Sequence, residues 1–424
     1  MPNQVITLLP GDTACFAPDP SKRQTQVAPS SMLAMQLGLH WQCDNARHSN
    51  YQFALKLNMW RDIYPMPMES ELVGQHIGDT RRYDFAPGDF IAPYQKRDCL
   101  SIRPQQFNPH FLPNGYVAPR AGRFYPKGFI AGTRGIFSEE MGAFRVAEVN
   151  DDITIELNHP LADTALTLST QLLDIWLSRK DGGSCIDIPE ILTLDGPGMA
   201  CRWHNQATDF WPDLPFHRKA DTEADDFYAQ PRSTDPMDST AQQQIELLYT
   251  RLLPPDSQVL ELMASHTSQL PTTPTLHVQG LGLNAEELAA NTRLASASVH
   301  NLNDNPILPF ADNTFDAIVC TAGIAYLTQP GQVFAEVNRV LKPNGLFITT
   351  FSNRYFPTKV VKIWEDAHEF ERLGLVLEYF LESGRYTDLE TCTIRGLPRP
   401  ESDQFVGKTL FSDPVYAVWG RKKA

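Results

Sequence analysis

The sequence predicts two domains of different class: a β-rich α+β domain, then an α/β domain with a doubly wound, mostly parallel sheet. Two observations carry this. Residues 1–235 hold most of the 33 prolines and read as short alternating runs broken by turn signals such as Ala86-Pro87-Gly88-Asp89 and Pro113-Asn114-Gly115. From about residue 238 the texture changes to helical spacing alternating with short apolar strands, the pattern of βα units. The expected boundaries are 1–180 for the first domain, 181–235 for a connecting segment with the acidic stretch 220–226, and 236–424 for the second. A chain of 424 residues is long enough to bury both cores.

In the first part, 152–157 alternates polar and apolar residues behind the Asn150-Asp151 turn, and 166–169 runs into an apolar stretch ending at Leu177; both read as strands. In the second part, 238–253 has Ile245, Leu248 and Leu252 at helical spacing, Asp238 or Ser239 as N-cap, and Pro254-Pro255 as its stop. A strand over 258–262, a helix over 285–291 and a strand over 315–320 follow. The helix 332–341 is apolar at Val333, Phe334, Val337, Val340 and Leu341. Lys342-Pro343-Asn344-Gly345 then turns the chain into the strand 346–351.

Lys and Arg total 36 against 50 Asp and Glu, a net charge of −14, so a nucleic-acid binder held by phosphate neutralisation is excluded. No apolar run reaches the ~18 residues of a membrane span, and the first residues lack a secretory pattern, so no membrane partner and a cytoplasmic location are expected. The seven cysteines are scattered singly, without CxxC or paired His-Cys spacing, and predict neither a metal site nor disulfides.

Two blocks, 308–320 (LPFADNTFDAIVC) and 336–345 (EVNRVLKPNG), resemble the class I, type 11 methyltransferases over about 228–424. The resemblance implies S-adenosylmethionine as cofactor, bound at the carboxyl ends of the strands. Its site residues transfer with departures. Glu261 keeps the acid after the first strand, suited to the methionine ammonium. Met263, Ala264 and Ser265 replace the glycine-rich loop, losing the positive-φ freedom of glycine; Ser265 Oγ offers a replacement hydrogen bond. Gly282 stands where an acid usually grips the ribose, with Asn284 the nearest substitute. Asn301 and Leu302 face the adenine, and Cys320 and Tyr326 line the meeting point of adenosine and acceptor. Tyr228 and Arg232, in a Phe-Tyr-x-x-Pro-Arg segment, are candidates to close over the methionine end. Methyl transfer to an activated sulfonium needs positioning more than a base; His266 is a candidate near the acceptor.

The stretch 66–175 resembles the FKBP prolyl isomerases of the SlyD type, through 69–79 (ESELVGQHIGD), 86–94 (APGDFIAPY) and above all 146–168. This resemblance implies a prolyl pocket with Tyr94 as a family aromatic and Trp60, Tyr64 and Phe85 as candidates for its floor. It also implies a flap inserted over roughly 95–144 that binds peptide through exposed Phe107, Phe111, Phe124 and Tyr125. The combined expectation is a methyltransferase fused to a peptide-binding isomerase or chaperone domain, acting on a captured polypeptide. The alternative is a chaperone or isomerase whose methyltransferase-like half is not catalytic.

Overall fold

The computed structural model describes residues 16–111, 116–133, 135–177, 183–194, 196–219, 230–231, 235–272 and 275–424. Its first half contains β1 (Ser31–Gln42), β2 (Arg47–Asn58), α1 (Met68–Leu72), β3 (Thr80–Phe85), β4 (Cys99–Ile102), β5 (Phe124–Pro126), β6 (Ala143–Val149), β7 (Ile153–Glu156), β8 (Leu166–Leu177) and α2 (Ile188–Thr193). The second half runs α3 (Ser239–Leu252), β9 (Gln258–Leu262), β10 (His277–Gly282), α4 (Ala285–Ala290), β11 (Ser296–Val299), β12 (Phe315–Thr321), α5 (Pro330–Val340), β13 (Leu341–Phe351), α6 (Lys362–Asp366), α7 (Glu369–Ser383), β14 (Tyr386–Arg395) and β15 (Val415–Lys422).

Strands β11, β10, β9, β12 and β13 are parallel in that order, which reverses direction between β9 and β12 as a doubly wound sheet requires. β15 and β14 add antiparallel strands at the β13 side. The helix α3 starts where expected because the Asp238 carboxylate accepts the Ala241 N–H at 2.9 Å, and it buries Ile245, Leu248 and Tyr249. The helix α7 starts with His368 and Glu371 bonding each other's backbone N–H and ends on Gly384 at φ +65°.

The two halves are not strung on a linker. β14 pairs in parallel with β2, from Glu390↔Arg47 to Arg395↔Gln52, so β2, β1, β8 and β3 continue the same sheet, which has eleven strands among the described residues. Tyr51 and Phe53 of β2 share a core with Tyr249, Ile394, Val415 and Trp419 from the other half. The segment expected to connect the domains also enters the interior: Ile188 and Leu192 pack under the first strands, and Met199, Ala200 and Phe210 pack against α7 and its neighbours.

Between β3 and β8 lies a second sheet, four strands in the order β4-β7-β6-β5 from Cys99 to Glu156, where the flap was expected over roughly 95–144. The aromatics expected to bind peptide are not exposed. Phe107, Phe124, Tyr125 and Phe129 are all buried and Phe111 half-buried, and Phe107, Phe111, Tyr125 and Phe129 pack on one another as the insertion's own core. A sheet of so few short strands has no other way to exclude water from one face.

The insertion is fastened to α7 by charge. Arg123 Nε donates to the Glu371 carboxylate at 2.7 Å, the Phe124 N–H adds a bond at 2.9 Å, and both side chains are buried. Arg123→Met should therefore cost about 3–5 kcal/mol in denaturant unfolding, because it strands a buried carboxylate. Arg47→Met, which loses the exposed partner of Glu390, should cost less than about 1 kcal/mol.

Candidate active site

A doubly wound sheet binds ligands beyond the carboxyl ends of its strands where the order reverses, here between the ends of β9 and β12. Glu261, the fourth residue of β9, is 3% exposed. Its carboxylate accepts from Ser268 Oγ and feels the charge of Arg293. Burial pushes its pKa up to about 7.

The loop after β9 keeps the backbone shape that glycine favours without having one. Met263 takes φ +56°, an arrangement that costs roughly 1–3 kcal/mol for a residue with a side chain. The Ala264 N–H then bonds the Leu281 carbonyl at 2.9 Å, tying the loop to the end of β10. Two consequences follow at the neighbouring glycines. A Cβ on Gly282 would lie 2.2 Å from the Ala264 carbonyl oxygen, so the ribose-gripping acid is excluded at that position by the chain itself. A Cβ on Gly323, just past β12, would meet Met263 Sδ at 2.7 Å and Cys320 Sγ at 2.9 Å, so the Met263 thioether lies across the gap between the two strand ends.

The polar candidates are turned to other partners. The Asn284 side-chain oxygen, expected on the ribose, caps α4 by accepting the N–H groups of Glu286 and Glu287 at 2.9 and 3.1 Å. Ser265 Oγ donates to Glu287 at 2.7 Å. His266 stands between Ser265 Oγ at 3.2 Å and the Asp235 carboxylate at 3.5 Å. Asn301 closes a local turn, accepting from the Asn303 N–H and donating to Asp304. Leu302 and Cys320 are buried in the core, and burial pushes the Cys320 thiol up to about 12. Tyr326 Oη accepts the Phe356 N–H at 3.0 Å. Tyr228 and Arg232 lie outside the described residues.

The structure thus gathers Glu261, Met263, Ala264, Ser265, Gly282 and Asn284 at one strand end, but as a self-bonded plug. Sequence reasoning missed Ser268 and Asn291, whose amide donates to the Ser265 carbonyl at 2.8 Å and to Ser268 Oγ at 3.0 Å. The signal available was the missing glycines: a loop that loses them needs side chains to hold it.

The prolyl-pocket candidates do not converge. Tyr64 and Phe85 are sealed in the core under β1 and β8, whereas Trp60 is 48% and Tyr94 39% exposed.

Residues 264–349 match the family described as "Methyltransferase domain". Over this stretch the chain is similar to methyltransferase domains. Among curated proteins, the chain is 43% identical over 54 residues to the demethylmenaquinone methyltransferase of Renibacterium salmoninarum, 12% of this chain and 23% of that one. It is 35% identical over 100 residues to the ubiquinone/menaquinone biosynthesis C-methyltransferase UbiE of Ruegeria sp., 21% and 39% of the two chains. The match thus spans well under half the length of these relatives. Among solved structures it is similar to the YcgJ protein of Bacillus, at 15% identity and a TM-score of 0.31, covering 42% of this chain and 97% of the other. The isomerase resemblance of 66–175 finds no support in these comparisons.

S-adenosylmethionine is the cofactor that this domain and its homologues imply. The desolvated Glu261 carboxylate is the group whose chemistry would suit the methionine ammonium, in competition with the charge of Arg293. The adenosyl half does not fit the cleft as it stands, because Met263 and Ala264 occupy it and Asn284 is committed to a helix cap.

The Glu261 carboxyl leaves a signature in stability. Its pKa is about 7 in the folded chain against an ordinary 4.5, so the folded state binds the extra proton and stability falls as pH rises from about 4.5 to 7. Glu261→Gln should remove that fall, gaining roughly 3 kcal/mol over the wild type between pH 4.5 and 8 in parallel denaturation series.

Proposed function

We propose that the C-terminal half is an S-adenosylmethionine-dependent methyltransferase whose first loop closes the cofactor cleft and must swing Met263 away from Gly323 to admit the nucleoside. The single observation that supports this is Glu261: a buried carboxylate at the switch point, raised in pKa by burial despite the Ser268 hydrogen bond and the charge of Arg293. Burying such a group is costly, and an arriving ammonium relieves the cost. The family match of 264–349 supplies the identity of that cation.

For the methyl acceptor, a hollow of about 620 Å³ lies at the start of α5, lined by Trp211, Phe216, Tyr379 and the residues around Gln329. Trp211 and Tyr379 stack at 6.2 Å across an interplanar angle of 26°, so its wall is aromatic. A polypeptide client, within the same proposal, would meet the residues of the insertion that are exposed, Tyr116, Phe137 and Met141, in place of the buried Phe107, Phe124 and Tyr125 and the half-buried Phe111. Prolyl isomerisation is not part of the proposal, since the aromatics it needs are split between core and solvent.

Calorimetric titration of the full chain with S-adenosylmethionine tests the reading. Met263→Gly, which frees both the cleft and the positive-φ backbone, should bind at least tenfold tighter than the wild type, and adding Glu261→Gln to it should weaken binding again. No heat from Met263→Gly at millimolar ligand would overturn it.

A further inference from the structure

Far from the strand ends, at the seam between the halves, the fold brings a distant cysteine to two ligand-bearing side chains that lie five residues apart in the sequence. Cys43 follows β1 in the turn to β2, held by a bond from its N–H to the Ala46 carbonyl at 3.0 Å. His48 lies on β2 and is 2% exposed. Cys201 comes from a turn beyond α2, 153 residues from His48, its N–H bonded to the Gly198 carbonyl at 3.0 Å. His48 Nε2 is 3.1 Å from Cys43 Sγ and 3.6 Å from Cys201 Sγ, and the three ligand atoms lie within 4.8 Å of one another.

The surroundings are those of a built site. The other ring nitrogen of His48 bonds Thr391 Oγ1 of β14 at 2.7 Å, which fixes the ring and leaves Nε2 facing the sulfurs. Trp41 stacks on the His48 ring, centroids 5.2 Å apart and planes within 11°, and its indole N–H donates to Cys201 Sγ at 3.3 Å. The Arg145 guanidinium bonds the Cys201 carbonyl at 3.1 Å and adds positive charge beside it. The ligands are thus oriented by backbone and by outer contacts, not left to solvent.

We propose that Cys43, His48 and Cys201 form a binding site for Zn²⁺. Two thiolates and an imidazole are the soft and borderline donors that a d¹⁰ cation prefers, and two thiolates neutralise its charge. Donors ~2.3 Å (sulfur) and ~2.1 Å (nitrogen) from a tetrahedral ion sit about 3.6 Å apart, the separation of Cys201 from His48. The Cys43 contact is shorter and opens by rotation about one side-chain bond. Three protein ligands leave the fourth position to water. Binding releases the thiol protons to solvent as the sulfurs become thiolates. The ion would clasp the β1–β2 turn to the segment after α2, with Thr391 tying the histidine to β14.

The test is a Co²⁺ titration of the full chain, reduced and kept anaerobic, followed by Zn²⁺. One equivalent of Co²⁺ should give a thiolate-to-cobalt charge-transfer band and the visible bands of a tetrahedral site, and Zn²⁺ should bleach both. Cys201→Ser and His48→Gln should lose the charge-transfer band or bind at least tenfold more weakly, while Cys185→Ser, at an exposed cysteine, keeps it. Circular dichroism of each variant reports whether it folds, and the wild-type titration stands without them. A reduced wild-type chain that takes no cobalt, or that only closes a Cys43–Cys201 disulfide on exposure to air, overturns the proposal. So does a band that survives unchanged in both ligand variants.

Discussion

The pairing of β2 with β14 places every other feature, because it lays the edge of an antiparallel sheet against the last strands of a doubly wound one. A sheet edge is a row of unsatisfied donors and acceptors, and joining two edges removes both liabilities at once. Tyr51, Phe53, Trp419 and Tyr249 then fill one core across the join. Buried polar residues along the seam pair across it: Asn50 meets Thr393 and donates to the Leu192 carbonyl, and His48 meets Thr391. Buried polar groups that pair so specifically fix a register, since a slip of one residue would orphan all of them. The same seam lets the insertion reach α7, where Arg123 and Glu371 meet, and Arg202 adds a second pair to Glu378.

At the strand ends, the chain has traded glycine for contacts. Met263 holds a left-handed backbone, and what stabilises it is the Ala264 bond to β10 together with the packing of its thioether against Gly323. Ser265, Ser268, Glu287 and Asn291 lace the rest of the loop. The same contacts that repair the loop fill the cleft. Glu261 stays buried beneath these contacts, its pKa raised by burial against the Ser268 bond and the charge of Arg293.

Much of the second half was legible in the sequence. The strand Gln258–Leu262 and the helices near 239–252, 285–290 and 330–340 fall within a few residues of the hydrophobic periodicity. The blocks that carried the family resemblance were legible for a structural reason. Arg339 grips the Leu308 and Phe310 carbonyls, Asp312 and Glu336, and Lys342 pairs with Asp316, so the two blocks hold each other. These contacts sit at the start of β12 and the end of α5, not at the strand ends where the cleft lies, which is why a clear resemblance coexists with an altered site. The β2–β14 ladder and the Cys43, His48, Cys201 group depend on contacts between residues more than 150 apart, and periodicity does not see those. The aromatics of the insertion misled for the reverse reason: composition marks Phe107 and Tyr125 as apolar but not on which side of a small sheet they fall.

If the seam makes the chain one cooperative body, its two sheets of origin cannot unfold apart. Hydrogen exchange read by mass spectrometry across a denaturant series measures this directly, by comparing the amides of β1 and β8 with those of β9 and β12. Loss of protection in both sets at the same denaturant concentration is the expected result. Two separate midpoints, with β1 and β8 opening while β9 and β12 stay protected, would contradict it.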